Sequence, residues 1–265
     1  MESVTSADGT PIAFEHTGSG PPLVLVHGMA GNHARWELFN IRPTLAEHTT
    51  VYAIDRRGHG ESGDANEYAL VREFEDVAAV VDSIDDPVHL LGHSHGGLCA
   101  LEAALRTDNL RSLIVYEPAG PWEIPHLYSE EIEVELEALV EDGENEQALM
   151  LFLSEVVELP KSQIDELRAA PNWSARVDEA HTLPREYQAP TTYEFEPDRF
   201  ADMTTPTLLL VGGESPQWTK DATNEINDAL LNSRISVLEG QGHVAMNTAP
   251  DLFINEVFAF IHGLD

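Results

Sequence analysis

Lysine is almost missing from this chain. Only Lys161 and Lys220 occur beside twelve arginines, so 14 basic side chains face 47 acidic ones and the formal net charge is −33 with histidine neutral. That sign excludes nucleic acid as a partner, because a phosphate backbone is held by clustered Lys and Arg. An anionic membrane surface is excluded for the same reason. Cysteine is scarcer still. Cys99 stands alone, so no internal disulfide can form, and its place in an apolar helical stretch reads as a buried thiol. No apolar run approaches the roughly 18 residues that a membrane span requires. The start, Met1 to Gly9, has neither a basic n-region nor an apolar h-region, so no secretion signal is expected and a cytoplasmic address is predicted.

What is present suffices to fold. Hydrophobic residues make up 42% and aromatics 7% of the 265 positions, close to the globular average, which rules out a disordered acidic tail. The length suggests one large domain or a core carrying an insertion. Arginine in place of lysine, with so much negative charge, predicts a halophilic protein. In dilute buffer the like charges oppose the compact state, whereas multimolar salt shortens the Debye length to about 3 Å or less.

Short apolar runs closed by glycine alternate with helical patterns, which predicts a parallel sheet built from crossover units. Strands are expected at Leu23 to Val26, Val51 to Ile54, Val88 to Leu91, Leu113 to Tyr116, Leu208 to Val211 and Ile235 to Leu238. A hairpin around Asp8-Gly9, within Val4 to Thr17, is expected at the antiparallel edge. Helices are expected at Leu70 to Ile84, with Val71, Phe74, Val77, Val80, Val81 and Ile84 inward, and at Gly97 to Arg106, Ala222 to Leu231 and Leu252 to Ile261. From Ala119 to Phe200 strands disappear and helical periodicity takes over, so residues 119–200 read as an inserted helical lid between core segments 1–118 and 201–265. Within it, nine acids from Glu130 to Glu146 accompany the apolar face of Ile132, Leu136, Leu139 and Val140. They read as a solvated helix face and not as a cation site. Trp122, Tyr128, Phe152, Trp173, Tyr187 and Tyr193, with Trp218 beyond, are candidates for an apolar pocket or for lid core.

The strongest chemical signal is Gly92-His93-Ser94-His95-Gly96-Gly97, after one strand and before a helix. Gly-x-Ser-x-Gly in that setting is a nucleophile elbow, whose strained turn lifts the serine hydroxyl clear of the sheet. The second signal is His27-Gly28-Met29 at an earlier strand end. Attack on a carbonyl builds negative charge on oxygen that preorganised N–H groups must meet, and the amides of Met29 and His95 are the candidates. His27 itself reads as a turn-stabilising side chain. The segment Asp55-Arg56-Arg57-Gly58-His59-Gly60-Glu61-Ser62 reads as a rim beside the elbow, without catalytic role. Serine needs a base, and among twelve histidines His243 is chosen, because Gly240-Gln241-Gly242-His243 follows the last strand at the carboxyl edge. His93 and His95 project to other sides of the turn. The others, His126 among them, read as surface or packing residues. No His/Cys/Asp grouping has zinc-ligand spacing.

The order of His27-Gly28-x, Asp55-Arg56-x-Gly58-x-Gly60-x-Ser62, Gly92-x-Ser94-x-Gly96, a helical lid and Gly242-His243 resembles the α/β-hydrolase superfamily over essentially the whole chain. The resemblance implies an eight-stranded, mostly parallel sheet flanked by helices, a Ser/His/acid triad and no metal or organic cofactor. This chain departs from the family at the acid. A Gly-x-x-Asp turn usually follows the strand corresponding to Leu208 to Val211, but here it is Gly212-Gly213-Glu214-Ser215. A one-residue shift turns Glu214 to the other face. Glu117, at the end of Leu113 to Tyr116, is favoured over Glu214, since a branch of the haloalkane dehalogenases carries a glutamate there. Those enzymes and the epoxide hydrolases attack with an aspartate, so Ser94 excludes their chemistry. Carboxylic ester hydrolysis of a small-molecule substrate with an apolar part is the expected activity. Thioester, lactone or carbon–carbon hydrolysis, acyl transfer and perhydrolysis stay open, as does a ligand-binding shell without turnover.

Overall fold

The computed structural model describes residues 1–65, 67–120 and 128–264. Strands β1 (Glu2–Thr5) and β2 (Pro11–Gly18) form the edge hairpin, with Val4 opposite Ile12 and the turn held by Thr10 N–H on Asp8 Oδ1 (3.0 Å). Then come β3 (Pro22–Val26), β4 (Thr50–Ile54), β5 (Val88–His93), β6 (Leu110–Tyr116), β7 (Thr207–Gly212) and β8 (Ser233–Leu238). They join one eight-stranded sheet in the order β1-β2-β4-β3-β5-β6-β7-β8, parallel from β4 to β8. Every residue of β3, β5 and β7 is buried, which is why these strands read as unbroken apolar runs.

Helices cover both faces. After β3 a 3₁₀ segment (His33–Asn40) leads into α1 (Ile41–Leu45), a pair that the sequence pattern did not suggest because Pro43 interrupts it. The helix α2 (Leu70–Asp82) turns Phe74, Val77, Val80 and Val81 inward, but Val71 is 41% exposed and Ile84 lies beyond the helix end. The elbow helix α3 (His95–Ala103) is buried throughout. Among the described residues, five α-helices separate β6 from β7: α4 (Glu130–Glu141), α5 (Asn145–Leu151), α6 (Lys161–Arg168), α7 (Trp173–Glu179) and α8 (Leu183–Gln188). They build a core of their own from Leu136, Leu149, Leu167, Leu183 and Tyr187, seated on Ala30. Ser129 caps α4 by accepting from Ile132 N–H, and Glu130, Glu131 and Glu133 in its first turn suit the positive end of the helix dipole. The remaining helices are α9 (Gln217–Ala229), α10 (Ala245–Thr248) and α11 (Pro250–His262). The first of these starts five residues before the expected Ala222, because Pro216 sets its entry and its opening turn is polar. No helix among the described residues is long and apolar enough to cross a membrane.

The loop after β4 is a buried charge cluster and not a rim. Arg56 is 1% exposed and donates from Nη1 to both Glu73 oxygens (3.0 and 2.7 Å) and from Nη2 to Glu186 Oε1 (2.5 Å). Nε2 of His59 lies 2.8 Å from the same Glu186 oxygen, and Glu179 accepts from Gly60 N–H and Asn32 Nδ2. Burial would raise the Glu186 carboxyl, yet Arg56 and His59 hold it well below the usual range. Burial would lower His59, but Glu186 and Glu179 raise it. Glu179 and Glu186 belong to α7 and α8, so this cluster ties the helical segment to the sheet core. Removing one partner of a buried pair strands the other, at about 3–5 kcal/mol. Arg56→Met is therefore expected to lower the unfolding free energy in urea by about that amount.

Candidate active site

Sheet register brings the chemistry together. Gly92 of β5 pairs with Val26 of β3 and His93 with Tyr116 of β6, so His27-Gly28-Met29 and Glu117 leave the sheet on either side of Ser94. The elbow depends on two glycines. A Cβ on Gly92 would lie 2.2 Å from Gly96 O, and one on Gly96 would lie 2.3 Å from His27 O. Ser94 sits at φ 55°, in the left-handed region that side chains avoid, with its amide on Tyr116 O (2.9 Å). Ala30 (φ 46°) and Glu117 (φ 42°) are similarly held, so three strained residues cluster around one point.

Glu117 and His243 are joined directly. Nδ1 of His243 lies 2.6 Å from Glu117 Oε2, and the other oxygen accepts from Gly212 N–H (2.7 Å) and Ser215 Oγ–H (2.6 Å). A carboxylate only accepts, so this arrangement places the imidazole proton on Nδ1 and leaves Nε2 as an acceptor. Glu214 is exposed, its amide on Gln241 O, and it is not brought to His243. Ser215, at the family's acid position, instead orients Glu117. Two further groups fix the loop carrying His243: Tyr116 OH donates to Gly242 O, and Nε2 of His93 lies 2.8 Å from His243 O. Burial, then the neighbouring His243, pushes His93 well below its ordinary value, so it is a neutral ring packed 4.6 Å from that of His243.

On the other side, a Cβ on Gly28 would lie 3.2 Å from Ser94 Cβ. The Gly28 carbonyl accepts from Arg56 Nη2 (3.2 Å) and from His27 Nδ1 (2.8 Å), while Arg56 N–H meets His27 Nε2 (3.1 Å). His27 thus stabilises the turn, and Arg56 anchors it from below. His95 is buried with Nε2 3.2 Å from Glu73 Oε1. Glu73, His95 and Cys99 also lie within ligand distance of one another, but the Arg56 guanidinium already occupies that carboxylate.

Ser94 and His243 stand where two arms of one cleft meet, with about 530 and 690 Å³ of open space. Tyr128, Phe152, Tyr187 and Trp218 line the larger, apolar arm. Trp173 packs in the helical segment with its Nε1 on Glu146, and Tyr193 is buried against Glu102, so these two are packing residues. Trp122 and His126 lie outside the described residues. The smaller arm carries Arg35, His93, Arg176 and Asn247. Neither arginine has a motif around it, and each has an acid two residues on in sequence, Glu37 and Asp178, so no local signal marks them as cations of the cleft.

Residues 23–256 match the profile of the Alpha/beta hydrolase family, and the chain belongs to that family. A crystal structure of an alpha/beta hydrolase from Sphaerobacter thermophilus DSM 20745 superposes with a TM-score of 0.82 at 36% identity, covering 98% of this chain and 100% of that one. A pimeloyl-[acyl-carrier protein] methyl ester esterase of Aeromonas hydrophila is 28% identical over 258 residues, 94% of this chain and 99% of the esterase. The dihydrolipoyllysine-residue acetyltransferase component of an acetoin cleaving system from Pseudomonas putida is 43% identical over 111 residues, which are 40% of this chain and 30% of that longer protein.

Proposed function

We propose that this hydrolase cleaves carboxylic esters through an acyl-enzyme on Ser94, with His243 as base and Glu117 as the acid that orients it. The observation that carries this reading is the Glu117 carboxylate, bonded to His243 Nδ1 and held by Gly212 and Ser215, in the same cleft as the strained serine. Ser94 Oγ bonds to the acyl carbon as its proton passes to His243 Nε2. The tetrahedral intermediate then expels the alkoxide, which takes that proton, and water attacks the acyl-enzyme by the same route.

The oxyanion falls to the amides of Met29 and His95. The Gly28 carbonyl is turned onto Arg56, no peptide among the described residues is cis, and in a trans unit the N–H points opposite the C=O, which sends Met29 N–H toward the cleft. His95 opens α3, where first-turn amides have no helical acceptor. The helices between β6 and β7 serve as a lid over this site, since Phe152, Val157 and Arg176 line the cleft. A methyl ester esterase among the full-length relatives supports ester over the other serine chemistries.

The charge of −33 supports a cytoplasmic setting rich in salt. One experiment addresses chemistry and setting together. In about 3 M KCl, p-nitrophenyl acetate should give a burst of one p-nitrophenol per chain, and in about 0.05 M KCl the burst and the circular dichroism of the fold should fade. Steady release without covalent adduct contradicts the acyl-enzyme, and an undiminished burst in dilute buffer contradicts the salt requirement.

A further inference from the structure

The smaller arm of the cleft is lined by no acidic residue among the described ones. Eight other arginines, Arg42, Arg56, Arg57, Arg72, Arg106, Arg168, Arg185 and Arg199, each sit against a carboxylate. Arg35 and Arg176 have no carboxylate partner among the described residues. Arg35 donates from Nη2 to Asn247 Oδ1 (2.7 Å), while its Nη1 is buried with no partner. Arg176 reaches in from α7 and donates from Nε to Ala30 O (3.3 Å), with its terminal nitrogens in no hydrogen bond among the described residues.

Two guanidiniums on one arm of the cleft without a counter-charge are costly, since a buried donor left unmade, as Arg35 Nη1 is, forfeits its hydration. Burial pushes Arg35 down to about 9, with Arg176 adding to the depression, and burial pushes Arg176 down to about 10. The rings that face the pair, His93 and His243, offer no negative charge. In a chain with 47 acids, such a gap marks a place reserved for a ligand's charge.

We infer that this arm binds a terminal oxyanion of the substrate, a carboxylate or a phosphate, between Arg35 and Arg176. The inference rests on Ser94 being the nucleophile and adds the substrate class: an ester with an anion on one side of the scissile bond and an apolar group on the other. Guanidinium forks match both oxyanions. The apolar partner fits the arm of Tyr128, Phe152, Tyr187 and Trp218. High salt would also screen the long-range repulsion between an anionic substrate and the acidic surface.

The test compares kcat/KM for p-nitrophenyl valerate, p-nitrophenyl hemiglutarate and its phosphonate analogue, with O-acetylglycolate against ethyl acetate to place the anion on the alcohol side. At least one anionic ester should exceed its neutral counterpart by about 100-fold, chiefly through KM, and Arg35→Gln/Arg176→Gln should bring the ratio near unity, with Arg176→Lys retaining part of it. The carboxylate and phosphonate arms separate the two oxyanions. A merely structural pair would lower both members of a comparison together and leave the ratio unchanged, which overturns the inference. Calorimetric titration of Ser94→Ala with glutarate and with inorganic phosphate provides a readout independent of turnover. Arginine-dependent binding without hydrolysis of any ester keeps the anion site and rejects the serine reading. Hydrolysis with no anion preference and no binding does the reverse.

Discussion

Ser94→Ala should lower kcat for any ester by about 10⁶-fold, the scale seen when a serine nucleophile is removed from an intact triad. The residual rate belongs to the oxyanion amides and to binding, which survive the change. The fold should persist. Among the described residues no core hydrogen bond rests on the Ser94 side chain, while its backbone amide on Tyr116 O and its carbonyl, which accepts from Gly97 and Ala119, are untouched. Equal thermal transitions for the two proteins, with activity gone, are the expected pair of observations. Turnover within about tenfold of the parent would mean that another group attacks the substrate.

Glu117→Gln should cost about 10⁴ in kcat, because the acid sets the tautomer of the histidine. The environment makes this substitution harsher than its shape suggests. Gly212 N–H and Ser215 Oγ–H converge on one oxygen and His243 on the other. Glutamine offers one acceptor end and one donor end. If its oxygen faces His243, its NH₂ confronts the Gly212 N–H; if it turns over, the NH₂ favours the wrong tautomer of the imidazole. Glu214→Gln should leave kcat within about twofold, since that side chain is exposed and away from His243. The two rates measured together in high salt separate the alternatives, and near-parental turnover by Glu117→Gln would rule that residue out.

Much of the molecule was legible because its signals are local. A Gly-x-Ser-x-Gly between an apolar run and a helix needs no knowledge of distant residues, and the same short runs predict the edge hairpin and the parallel strands, while the count of eight is what the family resemblance implies. Elements that depend on partners far along the chain were not legible. Arg56 looks like a loop cation in sequence, yet Glu73 and Glu186 lie 17 and 130 residues away and draw it inside. Ser215 looked like a gap in the acid motif, and only the approach of β6 to β7 shows it serving Glu117. The aromatics of the helical segment divided, with Tyr128, Phe152 and Tyr187 in the cleft and Trp173 and Tyr193 in packing, because sequence spacing does not say which face meets the sheet. Arg35 and Arg176 are 141 residues apart and meet only where α7 descends on the turn after β3.

The most direct test of the proposed chemistry is to treat the protein with a fluorophosphonate in high salt and read the mass shift of intact protein and peptides. One adduct per chain, on the peptide containing Ser94, is expected, lost in Ser94→Ala and slowed by orders of magnitude in His243→Ala. No adduct, or an adduct on a different residue, would contradict a serine nucleophile at the elbow.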